Sequence, residues 1–175
     1  RAQIAFTSDR AGEYNIFIMN ADGGNVRQLT DNTGFHSFPA WSPDGARIAY
    51  KAQASIFIMD TDGKNIRKLT DDRGAEWSPA WSPDGTRITF ESDRDGGLDI
   101  YVMDADGKNV RQLTDGRGWT ESPAWSPDGT QIAFASDRNV DSSMERNIYI
   151  MDADGGNVRQ LTDTSRRDMW PAWVP

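Results

Sequence analysis

Apolar residues along this chain come in short blocks. Four of them are continuous: Ile16-Phe17-Ile18-Met19, Ile56-Phe57-Ile58-Met59, Ile100-Tyr101-Val102-Met103 and Ile148-Tyr149-Ile150-Met151. Each is too short for a helix and ends in turn residues, which predicts strands. Continuous apolar positions also predict burial on both faces, which an open one-sided sheet does not provide. Three further segments recur around each block. A Pro-Ala-Trp segment stands at Pro39, Pro79, Pro123 and Pro171, and an Ile-x-Phe/Tyr triplet starts at Ile4, Ile48, Ile88 and Ile132. A more polar stretch starts at Val26, Ile66, Val110 and Val158, and it carries Arg27, Arg67, Arg111 and Arg159. In the order Pro-Ala-Trp, triplet, block, polar stretch, these are strands a, b, c and d. Charge on strand d suits an exposed edge, where it blocks unwanted pairing.

The connections agree with hairpins. Ser-Pro-Asp-Gly joins a to b at 42–45, 82–85 and 126–129; proline presets φ for a turn and glycine accepts positive φ. Asp-x-Asp-Gly-x-Asn joins c to d, with Asn20 replacing the first aspartate in repeat one. A four-stranded antiparallel unit of about 40–45 residues, repeated, is a propeller blade. The fold expected is therefore all-β, a β-propeller of four four-stranded antiparallel blades in a single domain over 1–175. The chain opens on Ile4-Ala5-Phe6 with no Pro-Ala-Trp before it and closes on WPAWVP, 170–175, with no triplet after it. Pairing that last strand with the N-terminal strands would close a ring without exposed edges, as a four-bladed monomer or an eight-bladed homodimer. A start at Arg1 rather than Met reads as a mature or excised piece, and also admits an excised or engineered array without a selected partner.

Length variation locates the variable end. From strand c to the next strand b the spacing is constant at 32 residues, whereas from b to c it is 12, 8, 12 and 16. In an up-and-down sheet the b–c and d–a loops emerge at one end and the uniform a–b and c–d turns at the other. Irregularity on one face of a repeat array commonly marks the binding face. The d–a loops 31–38, 71–78, 115–122 and 163–170 share length but not content. They carry Phe35, His36, Arg73, Trp77, Arg117, Trp119, Arg167, Met169 and Trp170. Aromatics, Met and Arg are the residue types enriched at protein-binding hot spots, so these nine are the candidate partner-binding residues, against the plainer reading that they plug the loop end.

Other chemistry is sparse. The 175 residues include no cysteine and a single histidine, His36, so a Ser-His-Asp arrangement could use only that residue. No nucleophile elbow or zinc motif is present, and no cofactor or metal site is expected. The Asp-x-Asp-Gly turns resemble the start of a calcium loop but lack its later ligands, and aspartate also caps tight turns. Ser8-Asp9-Arg10, Ser92-Asp93-Arg94 and Ser136-Asp137-Arg138 follow strand b, where the second repeat has Lys51-Ala52-Gln53; a local ion-pair and capping arrangement is the expected role. Net charge is −8 without basic runs, which argues against nucleic acid or an anionic membrane as partner. No apolar run approaches the roughly 18 residues of a membrane span.

The PAWSPDG-x-x-IAF-x-SDR…IYxMDADGxNxRQLT pattern resembles the TolB-type β-propeller repeat across nearly the whole chain. The resemblance implies a propeller with Pro-Ala-Trp innermost and the polar stretch outermost. It implies a periplasmic or extracellular, non-enzymatic scaffold for a protein or peptide ligand, since the family includes a periplasmic protein that binds other proteins. Related propellers are fused to peptidase domains, so a hydrolase or lyase with a metal or carboxylate site in the channel is the competing reading.

The recurrent tryptophans Trp41, Trp81, Trp125 and Trp173 read as core residues between blades. Trp81→Ala is expected to cost roughly 3–5 kcal/mol, measured as a large drop in melting temperature.

Overall fold

The computed structural model describes residues 2–31, 33–139 and 145–174. Asn32, residues 140–144 of the longest b–c connection and Pro175 of the closing segment lie outside the described residues. Fifteen strands and no helix make up the described chain. The first sheet contains β1 (Gln3–Ala11), β2 (Glu13–Asn20) and β3 (Arg27–Gln28). The second has β4 (His36–Trp41), β5 (Arg47–Ala52), β6 (Ser55–Asp60) and β7 (Arg67–Lys68), in sequence order. The third has β8 (Glu76–Trp81), β9 (Arg87–Ser92), β10 (Asp99–Asp104) and β11 (Arg111–Gln112), and the fourth β12 (Thr120–Trp125), β13 (Gln131–Ser136), β14 (Asn147–Asp152) and β15 (Arg159–Gln160). These are the four propeller blades expected, three of them with four strands. The chain divides into two compact units, Arg1–Pro79 and Ala80–Pro175.

The ring-closing ladder expected of WPAWVP is not among the pairings of the described residues. Ile4 lies on β1, which ladders with β2, and residues 170–174 belong to no strand. The first sheet accordingly has no strand a. Trp170 nevertheless has φ 55°, the same left-handed kink that Phe38 (53°), Ser78 (47°) and Ser122 (60°) adopt immediately before the proline of strand a. In β4 and β12 this kink coincides with a register shift between Ser37 and Ala40 and between Glu121 and Ala124. A bulge accommodates the proline, which has no N–H for the ladder.

Within each blade the b and c blocks pair face to face, as in Ile48↔Met59 and Tyr50↔Phe57, and Ile132↔Met151 and Phe134↔Tyr149. The hydrophobic cores then lie between sheets. In the first unit Ile16, Ile18 and Leu29 of blade one pack with Ile48, Tyr50 and Met59 of blade two. In the second unit Ile100, Val102 and Leu113 of blade three pack with Ile132, Phe134, Tyr149 and Met151 of blade four. Burying one such large side chain stabilises by about 1.5–3 kcal/mol, and in these two clusters that burial takes place between blades. Strand d is exposed, as its charge predicts.

Polar contacts repeat the same coupling. Trp125 Nε1 donates to the Ala80 carbonyl at 3.3 Å and to Thr89 Oγ1 at 3.1 Å, and Trp173 Nε1 donates to the Ala124 carbonyl at 3.0 Å. Each indole thus reaches the inner strand of the preceding blade. Buried Trp41 Nε1 has no partner, consistent with the absence of a strand a in the first sheet. At the outer edge Arg27 Nη2 donates to the Thr61 carbonyl at 2.6 Å and Arg111 Nη1 to the Asp154 carbonyl at 2.8 Å. Glycine is required there: a Cβ on Gly63 or Gly155 would lie 2.9 Å from the carbonyl of Leu29 or Leu113.

Turn chemistry fixes the hairpins. In the c–d turns Asn65, Asn109 and Asn157 adopt φ of 52–53° and donate from Nδ2 to Asp60, Asp104 and Asp152 at 2.6 Å. In the a–b turn of blade four Ser126 Oγ donates to Asp128 at 2.6 Å, as does the Thr130 amide at 3.0 Å. The Ser126 hydroxyl, then the Thr130 amide and hydroxyl, hold the Asp128 carboxyl down at about 2, against an ordinary 3.8. A depressed carboxyl contributes stability above its ordinary value and loses it as pH falls through the folded one. NMR titration should therefore find Asp128 ionising near pH 2, and Ser126→Ala should move it back toward the ordinary value.

Candidate functional site

The b–c and d–a connections meet at one end of each unit and bond to one another. Gln53 N–H donates to the Phe35 carbonyl at 3.1 Å in the first unit. In the second, Asp137 N–H donates to Trp119 O at 3.3 Å, Arg146 N–H to Arg166 O at 3.1 Å and Asp168 N–H to Arg146 O at 2.9 Å. The loop end is therefore hydrogen-bonded rather than loose, and it fixes where the side chains of the d–a loops stand.

Those side chains separate into two groups. Phe35, Trp119 and Trp170 are 44%, 57% and 75% exposed. Phe35 still packs against Tyr14, with ring centroids 5.0 Å apart. Trp119 is held by its amide, which donates to Asp137 Oδ1 at 2.7 Å; a Cβ on neighbouring Gly118 would fall 2.2 Å from that same oxygen. Arg73 and Arg117 are exposed and ion-paired to Asp71 and Asp115 at 2.9 and 3.0 Å. Arg167 is exposed, and its backbone forms an isolated parallel β-bridge with Arg146. Trp77 and Met169 are half-buried, and Lys51 Nζ lies 5.1 Å from the Trp77 ring centre. His36, by contrast, is 8% exposed and lies beneath the rim, 6.0 Å from Tyr50 between ring centres.

Electrostatics around His36 favour a neutral ring. Burial lowers its pKa, opposed by the Asp31 carboxylate and the carbonyls of Tyr14 and Gly34. Its Nδ1 has no hydrogen-bond partner among the described residues. Burial pushes the Tyr50 hydroxyl up to about 12, with the Asp31 charge adding to the effect. The Asp31 carboxyl is held below the ordinary range chiefly by the Thr33 hydroxyl, which donates at 2.5 Å.

The Ser-Asp-Arg segments perform a role that sequence reading missed. Arg10 lies 5.0 and 5.1 Å from the ring centres of Phe6 and Phe17, Arg94 5.5 and 5.1 Å from Phe90 and Tyr101, and Arg138 5.4 and 5.5 Å from Phe134 and Tyr149. The serine holds the arginine in place: Ser8 and Ser92 Oγ accept from Arg10 and Arg94 Nε at 3.0 and 3.1 Å. Arg138 also lies 3.3 Å from Asp115 of the preceding blade. A signal was available, because each arginine follows its strand-b phenylalanine by four residues, at Phe6, Phe90 and Phe134. The register corrects one alignment. His36 pairs with Ala52 where Thr120 pairs with Ser136, so Ala52-Gln53-Ala54, not Lys51-Ala52-Gln53, occupies the Ser-Asp-Arg positions of blade two.

The Asp-x-Asp-Gly turns act as caps: Asp62, Asp106 and Asp154 each accept the backbone amide two residues on, at 2.9–3.0 Å. Among the described residues no group of three or more His, Cys, Asp or Glu is placed to hold a metal ion.

Comparison with known proteins places the repeats. The model of the TolB beta propeller domain matches residues 39–116. The Tol-Pal system protein TolB of Geobacter metallireducens is 50% identical over 46 residues, 26% of this chain and 11% of that protein. A putative TolB structure from Agrobacterium tumefaciens superposes with a TM-score of 0.84 at 32% identity, covering 92% of this chain and 61% of that one. TolB from Acinetobacter baumannii gives 0.81 at 27% identity, covering 95% and 42%. The match thus takes in 11% of the length of the Geobacter relative and 61% of the Agrobacterium structure.

Removing one of the stacked guanidinium groups should uncover an aromatic pair. Arg94→Ala is expected to cost about 0.5–2 kcal/mol, read as a lower urea midpoint with an unchanged slope.

Proposed function

This chain is a TolB-type β-propeller repeat protein, and on that premise we propose that it is a non-enzymatic scaffold binding a protein or peptide. The binding surface in this reading is the end formed by the d–a and b–c loops. The observation that carries it is the exposure of large side chains at the loop end of each unit, Phe35 in the first and Trp119 and Trp170 in the second, on loops whose backbones are tied down by hydrogen bonds. Aromatic anchors on a rigid frame lose little conformational freedom on binding. The Geobacter relative is a Tol-Pal system protein, which favours a protein partner and a periplasmic or extracellular setting.

Trp77→Ala combined with Trp119→Ala is expected to abolish or strongly weaken capture of the partner while circular dichroism stays unchanged. Full binding by the folded double variant would place the site elsewhere.

A further inference from the structure

Blade two departs from its siblings at one point. All four blades carry an aromatic pair from strands b and c with ring centres 5.6–6.0 Å apart: Phe6–Phe17, Tyr50–Phe57, Phe90–Tyr101 and Phe134–Tyr149. Three of these pairs are covered by the blade's own arginine. The b–c hairpin of blade two carries no arginine to lay over Tyr50 and Phe57. The reason is in the chain: the b–c hairpin of blade two is the shortest, and Ala54 stands where the others have arginine. Phe17, Tyr101 and Tyr149 are buried, whereas Phe57 is half-exposed.

In place of the arginine there is a cleft of about 420 Å³ between the first two sheets, lined among others by Leu29, Asp31, His36, Tyr50, Phe57 and Ile66. That volume falls within the range of about 300–1,000 Å³ typical of ligand sites. The corresponding space between sheets three and four is where Arg138 sits over Phe134 and Tyr149 and against Asp115. Asp31 opens its d–a loop as Asp115 opens its own. Blade two therefore keeps the acceptor set of the repeat (a carboxylate and an aromatic pair) and lacks the hairpin arginine.

We propose that this cleft binds a guanidinium group, an arginine side chain presented by the partner, in the place that Arg10, Arg94 and Arg138 fill in the other blades. Asp31 supplies the counter-charge, and Tyr50 and Phe57 the stacking surface, with the His36 ring in the lining. A planar guanidinium suits a stacked and charge-paired site better than a compact ammonium. The proposal rests on the scaffold reading only for the source of the arginine.

The test uses Nα-acetyl-arginine amide as probe, followed by NMR of the aromatic and imidazole resonances of the full chain. Saturable shifts at His36, Tyr50 and Phe57 are expected in the millimolar range. Asp31→Asn should weaken binding about tenfold or more, as for loss of a charge-assisted contact, and Nα-acetyl-lysine amide should bind more weakly than the arginine probe. Replacing 52–55 with the Ser8–Asn15 hairpin of blade one, which carries its own arginine, should block the probe. Trp77→Ala with Trp119→Ala should leave probe binding intact, so that failure of the rim and failure of the cleft are told apart. Shifts that do not saturate, or an affinity unchanged by Asp31→Asn in a protein with wild-type circular dichroism, would overturn the assignment.

Discussion

A strand that is apolar at every position cannot rest in a sheet with one face in water. Ile100, Tyr101, Val102 and Met103 are all buried, and a single sheet offers shelter to only alternate members of such a run. The second face has to be covered by another sheet. Within each unit one sheet covers the other, which makes the hydrophobic core an inter-blade property, as the mixed clusters of blades one and two, and of three and four, demonstrate. The inner strand, the outer edge and the turns all serve that stacking: the indoles reach back to the previous inner strand, and the turn glycines lie flush on the previous outer one.

This constraint was legible because it is written in residue types that recur. Strand order, the hairpin turns, the exposed strand d and the packing role of the recurrent tryptophans all follow from local chemistry repeated four times. The features that escaped sequence reading depend on three-dimensional register. The left-handed kink falls on Phe38, Ser78, Ser122 and Trp170, three different residue types, so none announces it; the Pro-Ala-Trp that follows is the common element. The one-residue offset at Ala52 could be settled only by the pairing with His36. The closing strand was inferred from the two chain ends, and the described ladders do not include it.

The candidate site divides along the same line. Exposed Phe35, Trp119 and Trp170 stand out in sequence because they break the repeat. His36 breaks it too, yet it is buried, since it occupies the first position of strand a, where Glu76 and Thr120 are also buried. The stacked arginines were hidden for the opposite reason. They obey the repeat, and a regular charged residue after a strand reads as a turn cap until its distance to two rings is known.

The indole-to-carbonyl bonds from Trp125 to Ala80 and from Trp173 to Ala124 have an evolutionary corollary. A blade coupled only to the one before it needs nothing from more distant copies. Tandem duplication of one coding segment would then yield a copy with a ready-made berth, and unequal recombination could lengthen or shorten such a gene without redesigning any junction. Variety in blade number among such proteins becomes cheap, and novelty accumulates in whichever copy is released from plugging its own cleft.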